Sequence, residues 1–325
     1  MKTILLTGGA GYVGSHCAKS FARDGWYVVC IDNLSRGWRD AVRWGPLIEA
    51  DISDRSAVAA AIERYRPDVI AHFAAYAYVG ESVSTPELYY DNNVGRTFAF
   101  LETIRSIRPI PFLFSSTCAT FGHPRQDTID EDHPQWPINS YGWSKLIIER
   151  MLADYAIAHA LPSVALRYFN AAGGDPDGEI GERHEPETHV IPLAIDAALA
   201  HDRTFSVFGT DFDTRDGSAV RDYIHVMDLA DAHVRAAHRL LSMPGQAEVY
   251  NLGTGHGTSV LELVAAIRRV TGRPLPIELS PRRPGDPAML VAKADKARRI
   301  LGWAPQLSAI DTIIDHALIW RRIAR

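Results

Sequence analysis

Cysteine is scarce in this sequence. Cys17, Cys30 and Cys118 are the only three in 325 residues. That odd, sparse set excludes a disulfide framework and fits free thiols in a reducing cytoplasm. Long apolar runs are missing too: none reaches the roughly 20 residues of a membrane-crossing helix, so no membrane association is expected. The first strand-like run opens at Lys2, which leaves no stretch for a secretory leader. There is no excess of basic charge. The 34 Lys and Arg stand against 39 Asp and Glu, a net charge of −5, so nucleic acid is not an expected partner. Repeats and low-complexity segments are absent as well. What remains is an ordinary globular composition, 46% apolar and 22% charged, long enough for one large domain or two modest ones.

The chain is organised around its first residues. Lys2-Thr3-Ile4-Leu5-Leu6-Thr7 is a short run of strand type, and Gly8-Gly9-Ala10-Gly11-Tyr12-Val13-Gly14 follows at once. A helical pattern then carries through Cys17-Ala18 and Phe21-Ala22. Strand, glycine turn and helix is the context in which a glycine motif binds a dinucleotide. Gly9, Gly11 and Gly14 match G-x-G-x-x-G; Gly8, Gly11 and Gly14 match G-x-x-G-x-x-G. One glycine lets the chain turn, one lets the backbone approach a pyrophosphate, and Gly14 lets the helix lie close on the sheet. The phosphates then meet free N–H groups at the positive end of the helix. A mere tight turn would use the same glycines. The second strand, 27–31, favours the dinucleotide, because it ends on Asp32, eighteen positions beyond Gly14. About 20 is the spacing of an acid that binds the adenosine ribose. That acid repels a 2′-phosphate, so NAD is expected over NADP. Arg36 is a counter-signal, since it could pair with such a phosphate.

Further strands are expected at 47–50, 68–72, 111–115 and 164–168. Helices are expected from the cap Asp54 to Tyr65, over 86–107 and over 141–159. This alternation predicts an α/β fold with a doubly wound, Rossmann-type parallel sheet. Phe73-Ala74-Ala75 forms a loop of small residues suited to a nearby ligand. From Asn170 to Glu187 the pattern lapses into Gly, Pro and charge. The expected division is therefore a nucleotide domain over 1–170 and a smaller mixed α/β substrate domain over 171–325. A helix at 226–241 and a strand at 248–252 return to the first domain.

Tyr141-Gly142-Trp143-Ser144-Lys145 is the second anchor. Tyr and Lys four apart share one helix face. A phenol, with a reference pKa near 10, is a poor base at neutral pH. An ammonium about 6 Å away, at an effective dielectric near 20, favours the phenolate by about 3 kcal/mol. Tyr141 could then take an alcohol proton while a nicotinamide ring takes the hydride. On most helices Tyr-x-x-x-Lys is a surface pair. Here Ser115-Ser116-Thr117 precede it at a strand end, where ligands of open sheets gather.

With these residues in place the sequence resembles the extended short-chain dehydrogenase/reductase family and, within it, the UDP-glucose 4-epimerases. The matching stretches run nearly end to end. They include Asp32-Asn33-Leu34, His72-Phe73-Ala74, Val79-Gly80-Glu81-Ser82, Asp91-Asn92-Asn93, Phe114-Ser115-Ser116-Thr117, Leu166-Arg167-Tyr168-Phe169-Asn170, Val220-Arg221-Asp222-Tyr223-Ile224-His225 and Arg282-Arg283-Pro284-Gly285-Asp286. The resemblance implies an NAD-dependent isomerase that interconverts UDP-glucose and UDP-galactose. Tyr141 removes the 4-hydroxyl proton, NAD takes the C4 hydride, the 4-keto sugar turns, and the hydride returns to its other face. Thr117 holds the 4-hydroxyl, and Lys145 holds the nicotinamide ribose and tunes Tyr141. Gly8, Gly11, Tyr12, Val13, Gly14, Asp32, Asn33, Asp51, Ile52, Phe73, Ala74, Ala75, Asn92, Ser115, Tyr168 and Phe169 complete the cofactor site. Asn170, His189, Val190, Val207, Phe208, Arg221, Tyr223, Arg283, Asp286 and Leu290 line the UDP-sugar site with Thr117 and Tyr141. A homodimer through the helices at 86–107 and 141–159 is implied as well. The paired arginines suit a diphosphate, because a planar guanidinium offers paired donors.

Some relatives have Lys where this chain has Ala77, and many have Asn where His189 stands. Other readings are a 4-epimerase of UDP-N-acetylglucosamine or a UDP-pentose, a sugar-nucleotide 4,6-dehydratase, and a non-enzymatic NAD-binding module. The dehydratase needs an acid and a base after the Thr, where this chain has Cys118-Ala119. A pure binding module would not need the set Tyr141, Lys145 and Thr117. Finally, His184-Glu185-Pro186-Glu187-Thr188-His189 resembles the H-E-x-x-H zinc motif with one residue too many. Five helical steps put the rings about 140° apart, and Pro186 opposes a helix, so no metal is expected.

Overall fold

The runs Ile4-Leu5-Leu6, Val28-Val29-Cys30-Ile31 and Val69-Ile70-Ala71 are buried throughout. Continuous apolar strands of this kind belong to parallel sheets with helices on both faces. A computed structural model, describing residues 1–200, 203–243, 245–283 and 286–323, shows that arrangement. The chain opens with β1 (Thr3–Thr7), α1 (Tyr12–Arg23), β2 (Tyr27–Asp32), β3 (Leu47–Glu49), α2 (Arg55–Tyr65) and β4 (Val69–His72). It continues through α3 (Val79–Ser84), α4 (Pro86–Tyr89), α5 (Arg96–Ile107), β5 (Phe112–Thr117), α6 (Ser140–His159), β6 (Ser163–Tyr168) and β7 (Asn170–Ala172). Next come α7 (Val190–Leu199), β8 (Phe205–Phe208), β9 (Val220–Arg221), β10 (Tyr223–His225), α8 (Val226–Leu240), β11 (Ala247–Leu252) and β12 (Thr258–Ser259). The chain ends in α9 (Val260–Thr271), β13 (Ile277–Ser280), β14 (Met289–Leu290), α10 (Asp295–Leu301) and α11 (Ile310–Ile323).

Among the described residues the main sheet has seven strands in the order β11-β6-β5-β4-β1-β2-β3. All its pairings are parallel: Leu6 faces Cys30 on one side and Ala71 on the other. This is the Rossmann-type doubly wound sheet. Its order reverses between β1 and β4, so the crevice at their carboxyl ends is the natural ligand site. Strand alternation divides the core. Ile4, Leu6, Val69 and Ala71 pack toward Cys17, Phe21, Leu229 and Trp303. Leu5, Ile70 and Phe112 pack toward Phe100, Ile104, Ile148 and Leu152. A third core joins Ile191, Ile195, Leu263, Ile267, Ile314 and Leu318 beneath the short C-terminal strands. The segment 226–252 lies on the main sheet, where β11 pairs with β6 and α8 packs on α1.

Local signals place the elements that carry the site. Asp54 caps α2 by accepting from the N–H groups of Ser56 (3.0 Å) and Ala57 (3.1 Å). Asn139 caps α6 by accepting from Gly142 N at 2.8 Å, which fixes the start of the helix that bears Tyr141 and Lys145. The helix expected over 86–107 departs from that reading: α4 and α5 are joined by a π-helical stretch, Tyr90–Gly95. The wider turn lets buried Asn93 accept from Tyr76 N (2.8 Å) and donate to Tyr76 O and Ser144 Oγ (3.0 Å each). Long-range hydrogen bonds thus override the α-helical register.

Candidate active site

The glycine turn closes on the loop that follows β4. A Cβ on Gly8 would sit 2.5 Å from Ala74 N, and one on Gly14 would sit 2.2 Å from Gly8 O. Gly8 also has φ +73°, so no other residue serves there without strain. Gly11 starts α1 with no side-chain cap, leaving the first N–H groups of the helix to a ligand. Tyr12 and Val13 form its first turn, and Tyr12 Oη donates to Gly173 O at 2.7 Å, tying the turn to the chain beyond β7. Asp32 ends β2, buried, and accepts from Ala10 N (3.0 Å) and Leu34 N (2.8 Å). Burial raises its pKa, and these two N–H groups oppose the rise. Asn33 donates to Asp51 at 2.8 Å, and Arg96 meets the same carboxylate at 2.5 Å; Ile52 is buried beside them. Arg36 is committed elsewhere: it pairs with Glu81 at 2.7 Å and lies over the rings of Tyr76 and Tyr78.

Across the crevice, β5 and α6 bring Ser115, Thr117, Tyr141 and Lys145 together. Tyr141 is buried and its ring meets Tyr89 edge-on at 6.4 Å, while Thr117 Oγ1 accepts from Ala119 N at 3.1 Å. Lys145 Nζ donates to Ser115 O at 2.9 Å and sits 5.9 Å from the centre of the Tyr141 ring. Ser115 Oγ and Tyr168 Oη are 2.6 Å apart. The electrostatics differ from the sequence expectation. Burial and the neighbouring Tyr168 push the Tyr141 phenol above its ordinary value, with Thr117 opposing. Burial lowers Lys145 to about 7, with Glu149 opposing. Lys145 alone therefore does not make Tyr141 acidic, because desolvation penalises both charges.

Sequence reasoning missed what supports this pair. Glu149 and Arg167 form a buried ion pair at 2.6 Å. Glu149 also accepts from Ser116 Oγ at 2.5 Å, and Arg167 donates to Gln135 at 3.1 Å. Glu149 lies four positions after Lys145, on the same helix face, which is the signal that could have found it. Asn93 and Glu81 stand in matching stretches of the sequence, but no role follows for them from the sequence alone. They matter here because Asn93 carries the loop after β4 and Glu81 holds Arg36.

On the substrate side, Arg221 at the end of β9 pairs closely with Asp286, and Arg283 lies over the Phe208 ring at 3.9 Å. Pro284 and Gly285 of that motif lie outside the described residues. Asp222 holds the Arg221 strand in place by accepting from Thr254 N and Oγ1, Gly255 N and Ala292 N. Tyr223 and Val207 are buried, and Asn170 pairs with Tyr223 across β7 and β10. Leu290 pairs in register with Arg221 and packs against a cluster of Cys118, Phe121, Ile129 and Phe169. His189 precedes Val190, the first residue of α7, and points elsewhere: its Nδ1 lies 2.8 Å from Glu182 Oε1 and 3.3 Å from His184 Nδ1. Burial would lower its pKa, but Glu182 and Glu187 raise it to about 10. The helical geometry used to separate His184 from His189 does not apply, because residues 181–189 form a loop that brings the two rings together.

Residues 5–316 match the profile of the GDP-mannose 4,6 dehydratase family. A UDP-glucose 4-epimerase of Rhizobium leguminosarum bv. trifolii is 52% identical over 98% of this chain and 97% of its own. The UDP-glucose 4-epimerase of Brucella ovis, solved in complex with NAD, superposes with a TM-score of 0.95 at 50% identity, covering 98% of both chains. That of Bifidobacterium longum, in complex with NAD+ and UDP, gives a TM-score of 0.93 at 35% identity, covering 99% of this chain and 98% of its own. The glycine turn, the Tyr141–Lys145 pair and a fold shared over nearly the whole length place the chain in the extended short-chain dehydrogenase/reductase family, among the UDP-glucose 4-epimerases.

Proposed function

We propose that the chain interconverts UDP-glucose and UDP-galactose by oxidising the sugar at C4 and reducing it again from the other face. One observation carries this reading: Thr117, Tyr141 and Lys145 converge at the carboxyl end of β5, beside the crevice between β1 and β4. The residues fit NAD. The turn at Gly8 and Gly14 has no room for a Cβ, α1 opens uncapped toward the crevice, and the Asp32 carboxylate ends β2. When bound, NAD supplies the acceptor and donor of the C4 hydride. Tyr141 Oη takes the proton of the 4-hydroxyl and later returns it, so the cycle consumes no external acid or oxidant. Thr117 orients that hydroxyl. Lys145, fixed by one hydrogen bond to Ser115 O, keeps two N–H donors for the cofactor ribose. Arg221, Arg283 and Asp286 border the diphosphate pocket, with Phe208, Val207, Val190, Tyr223 and Asn170 around the nucleoside. A 4,6-dehydratase is disfavoured, because burial pushes the Cys118 thiol up to about 12 and Ala119 has no titratable group. The division into a cofactor part (1–170 with 226–252) and a UDP-sugar part belongs to the same proposal. So does a homodimer through α5 and α6, which expose Phe98 and Ile157. The three buried free thiols support a cytoplasmic setting. No helix among the described residues is long and apolar enough to cross a membrane. The direct test is to incubate purified protein with UDP-galactose, without and then with added NAD. UDP-glucose is the expected product, and its absence in both arms would refute the activity.

Cofactor choice follows from Asp32. Its charge disfavours a 2′-phosphate, and Arg36 is held by Glu81, so NAD should bind tighter than NADP. Asp32→Asn keeps the side-chain shape but removes the charge, and should narrow the preference about tenfold or more, the equivalent of about 1.4 kcal/mol. Titrations of both cofactors into apo-protein check this; an unchanged ratio would remove Asp32 from the discrimination.

Sugar choice follows from Leu290. A side chain of its size in an apolar pocket discriminates by only about 1–3 kcal/mol, so UDP-N-acetylglucosamine should be a slow substrate rather than an excluded one. Leu290→Ser should raise relative kcat/KM for the N-acetyl sugar, and Leu290→Tyr should lower it. A ratio that ignores side-chain size would show that Leu290 does not border the sugar.

A further inference from the structure

We propose that Glu182, His184, Glu187 and His189 form a tetrahedral site for a divalent transition metal, zinc being the best match, which clamps the loop leading into α7.

The argument starts from distances between the would-be ligand atoms. His184 Nδ1 and His189 Nδ1 are 3.3 Å apart. Glu182 Oε1 lies 2.8 Å from His189 Nδ1 and 3.5 Å from His184 Nδ1. Glu187 Oε1 lies 3.6 Å from His184 Nδ1 and 3.5 Å from His189 Nδ1. All four residues have a ligand atom within 4.8 Å of each of the others. Zinc–nitrogen and zinc–oxygen bonds of about 2.0–2.2 Å give a tetrahedron with edges of about 3.3–3.6 Å. Four of these five separations fall in that range, and the fifth, 2.8 Å, is shorter. Two imidazole nitrogens and two carboxylate oxygens are also the donor set that zinc and its neighbours in the first transition row accept.

A second observation is independent of these spacings. Glu182 is 4% exposed, and its Oε1 has no hydrogen-bond partner. Its nearest polar neighbour is His189 Nδ1 at 2.8 Å, an ion-pair contact when that ring is protonated. A buried carboxylate oxygen without a donor is costly unless a cation meets it. The other acidic cluster makes the contrast. Asp175, Asp177 and Glu179 also gather within bonding range of one another, but the ammonium of Lys19 sits among them at 2.5–2.7 Å. That cluster carries its own cation. Around the His–Glu group the nearest arginine, Arg321, is 3.5 Å from the outer oxygen Glu187 Oε2 and is engaged more closely by Asp196 at 2.8 Å. Glu187 Oε1, the inner oxygen, accepts from Thr188 N (2.9 Å) and His189 N (3.0 Å), which orients it toward the two rings.

The setting gives the ion a task. The loop packs against Tyr12 of the glycine turn and Tyr78 of the loop after β4, with His184 at ring distances of 6.1 and 5.8 Å. Trp320 Nε1 holds it from below through Glu182 O at 3.1 Å. A metal bound to four residues within 182–189 would fix the lead-in to α7 against the cofactor turn.

The test uses the full-length protein, treated with chelator, desalted and titrated with cobalt and then with zinc. The expected result is one cobalt per chain with the intense visible bands of a tetrahedral ion, displacement by zinc, and a higher Tm with metal. Glu182→Gln and His184→Asn should each weaken cobalt binding by at least about a hundredfold. Circular dichroism reports whether each variant folds. Should one fail, the paramagnetic shifts of two histidine rings in the parent protein read the same ligands. Failure of the parent to bind cobalt, an octahedral spectrum, or equal binding by both folded variants would each overturn the proposal.

Discussion

Tyr141→Phe is expected to lower epimerisation by about 10²–10⁴-fold while NAD stays bound. The substitution removes one oxygen and keeps the ring. Contact with Tyr89 and the burial of the side chain persist, so folding and cofactor binding should survive. What disappears is the atom that takes the proton. Burial holds the phenol above its ordinary pKa, and Lys145, itself lowered to about 7, does not offset that. Turnover should therefore require NAD+, whose cationic ring would supply positive charge to the site when bound, with Lys145 adding to it only while protonated. The check is steady-state epimerisation together with cofactor released on denaturation. Activity within tenfold of the parent would take the base role away from Tyr141.

Arg167→Ala is expected to have the largest effect on stability, a loss of about 3–5 kcal/mol. Arg167 and Glu149 have side chains 5% exposed and meet at 2.6 Å. Cutting back one partner leaves the other charge buried and unpaired. The replacement Arg167→Lys should not rescue it, because an ammonium cannot reproduce the paired guanidinium contacts at 3.0, 3.1 and 2.6 Å. The double variant Arg167→Leu with Glu149→Leu should recover much of the loss, since no charge is then stranded. Urea unfolding of the three proteins decides the matter. A cost below about 1 kcal/mol for Arg167→Ala would mean that water reaches the pair and it behaves as a surface bridge.

The parts legible in the sequence were those set by local chemistry. The glycine turn, the acid at the end of β2, the Asp54 cap and the Tyr141–Lys145 spacing each declare themselves within a few residues. The parallel sheet followed from apolar strands alternating with helices. Three things needed the folded chain. The Glu149–Arg167 pair joins α6 to β6, and nothing in either segment says that its charge is buried. The behaviour of Tyr141 depends on depth, and spacing along a helix carries no information about desolvation. Helical spacing would separate His184 from His189, whereas the loop over 181–189 brings their rings to 4.7 Å. The placement of Leu290 beside Arg221 rests on β14 pairing with β9, a contact between segments about 70 positions apart in sequence.

The π-helical stretch Tyr90–Gly95 has one further consequence. It makes the chain one residue longer than a plain helix would need between Tyr89 and Arg96. Removing that residue would rotate everything after it by about 100°. Phe100, Leu101 and Ile104 would turn off the core, and Arg96 would turn away from Asp51. Surface loops absorb insertions and deletions; this segment does not, although much of it lies near the surface. Its length acts as a gauge, setting the angular phase of α5 against the cofactor crevice, and point substitutions can adjust the surroundings without resetting it.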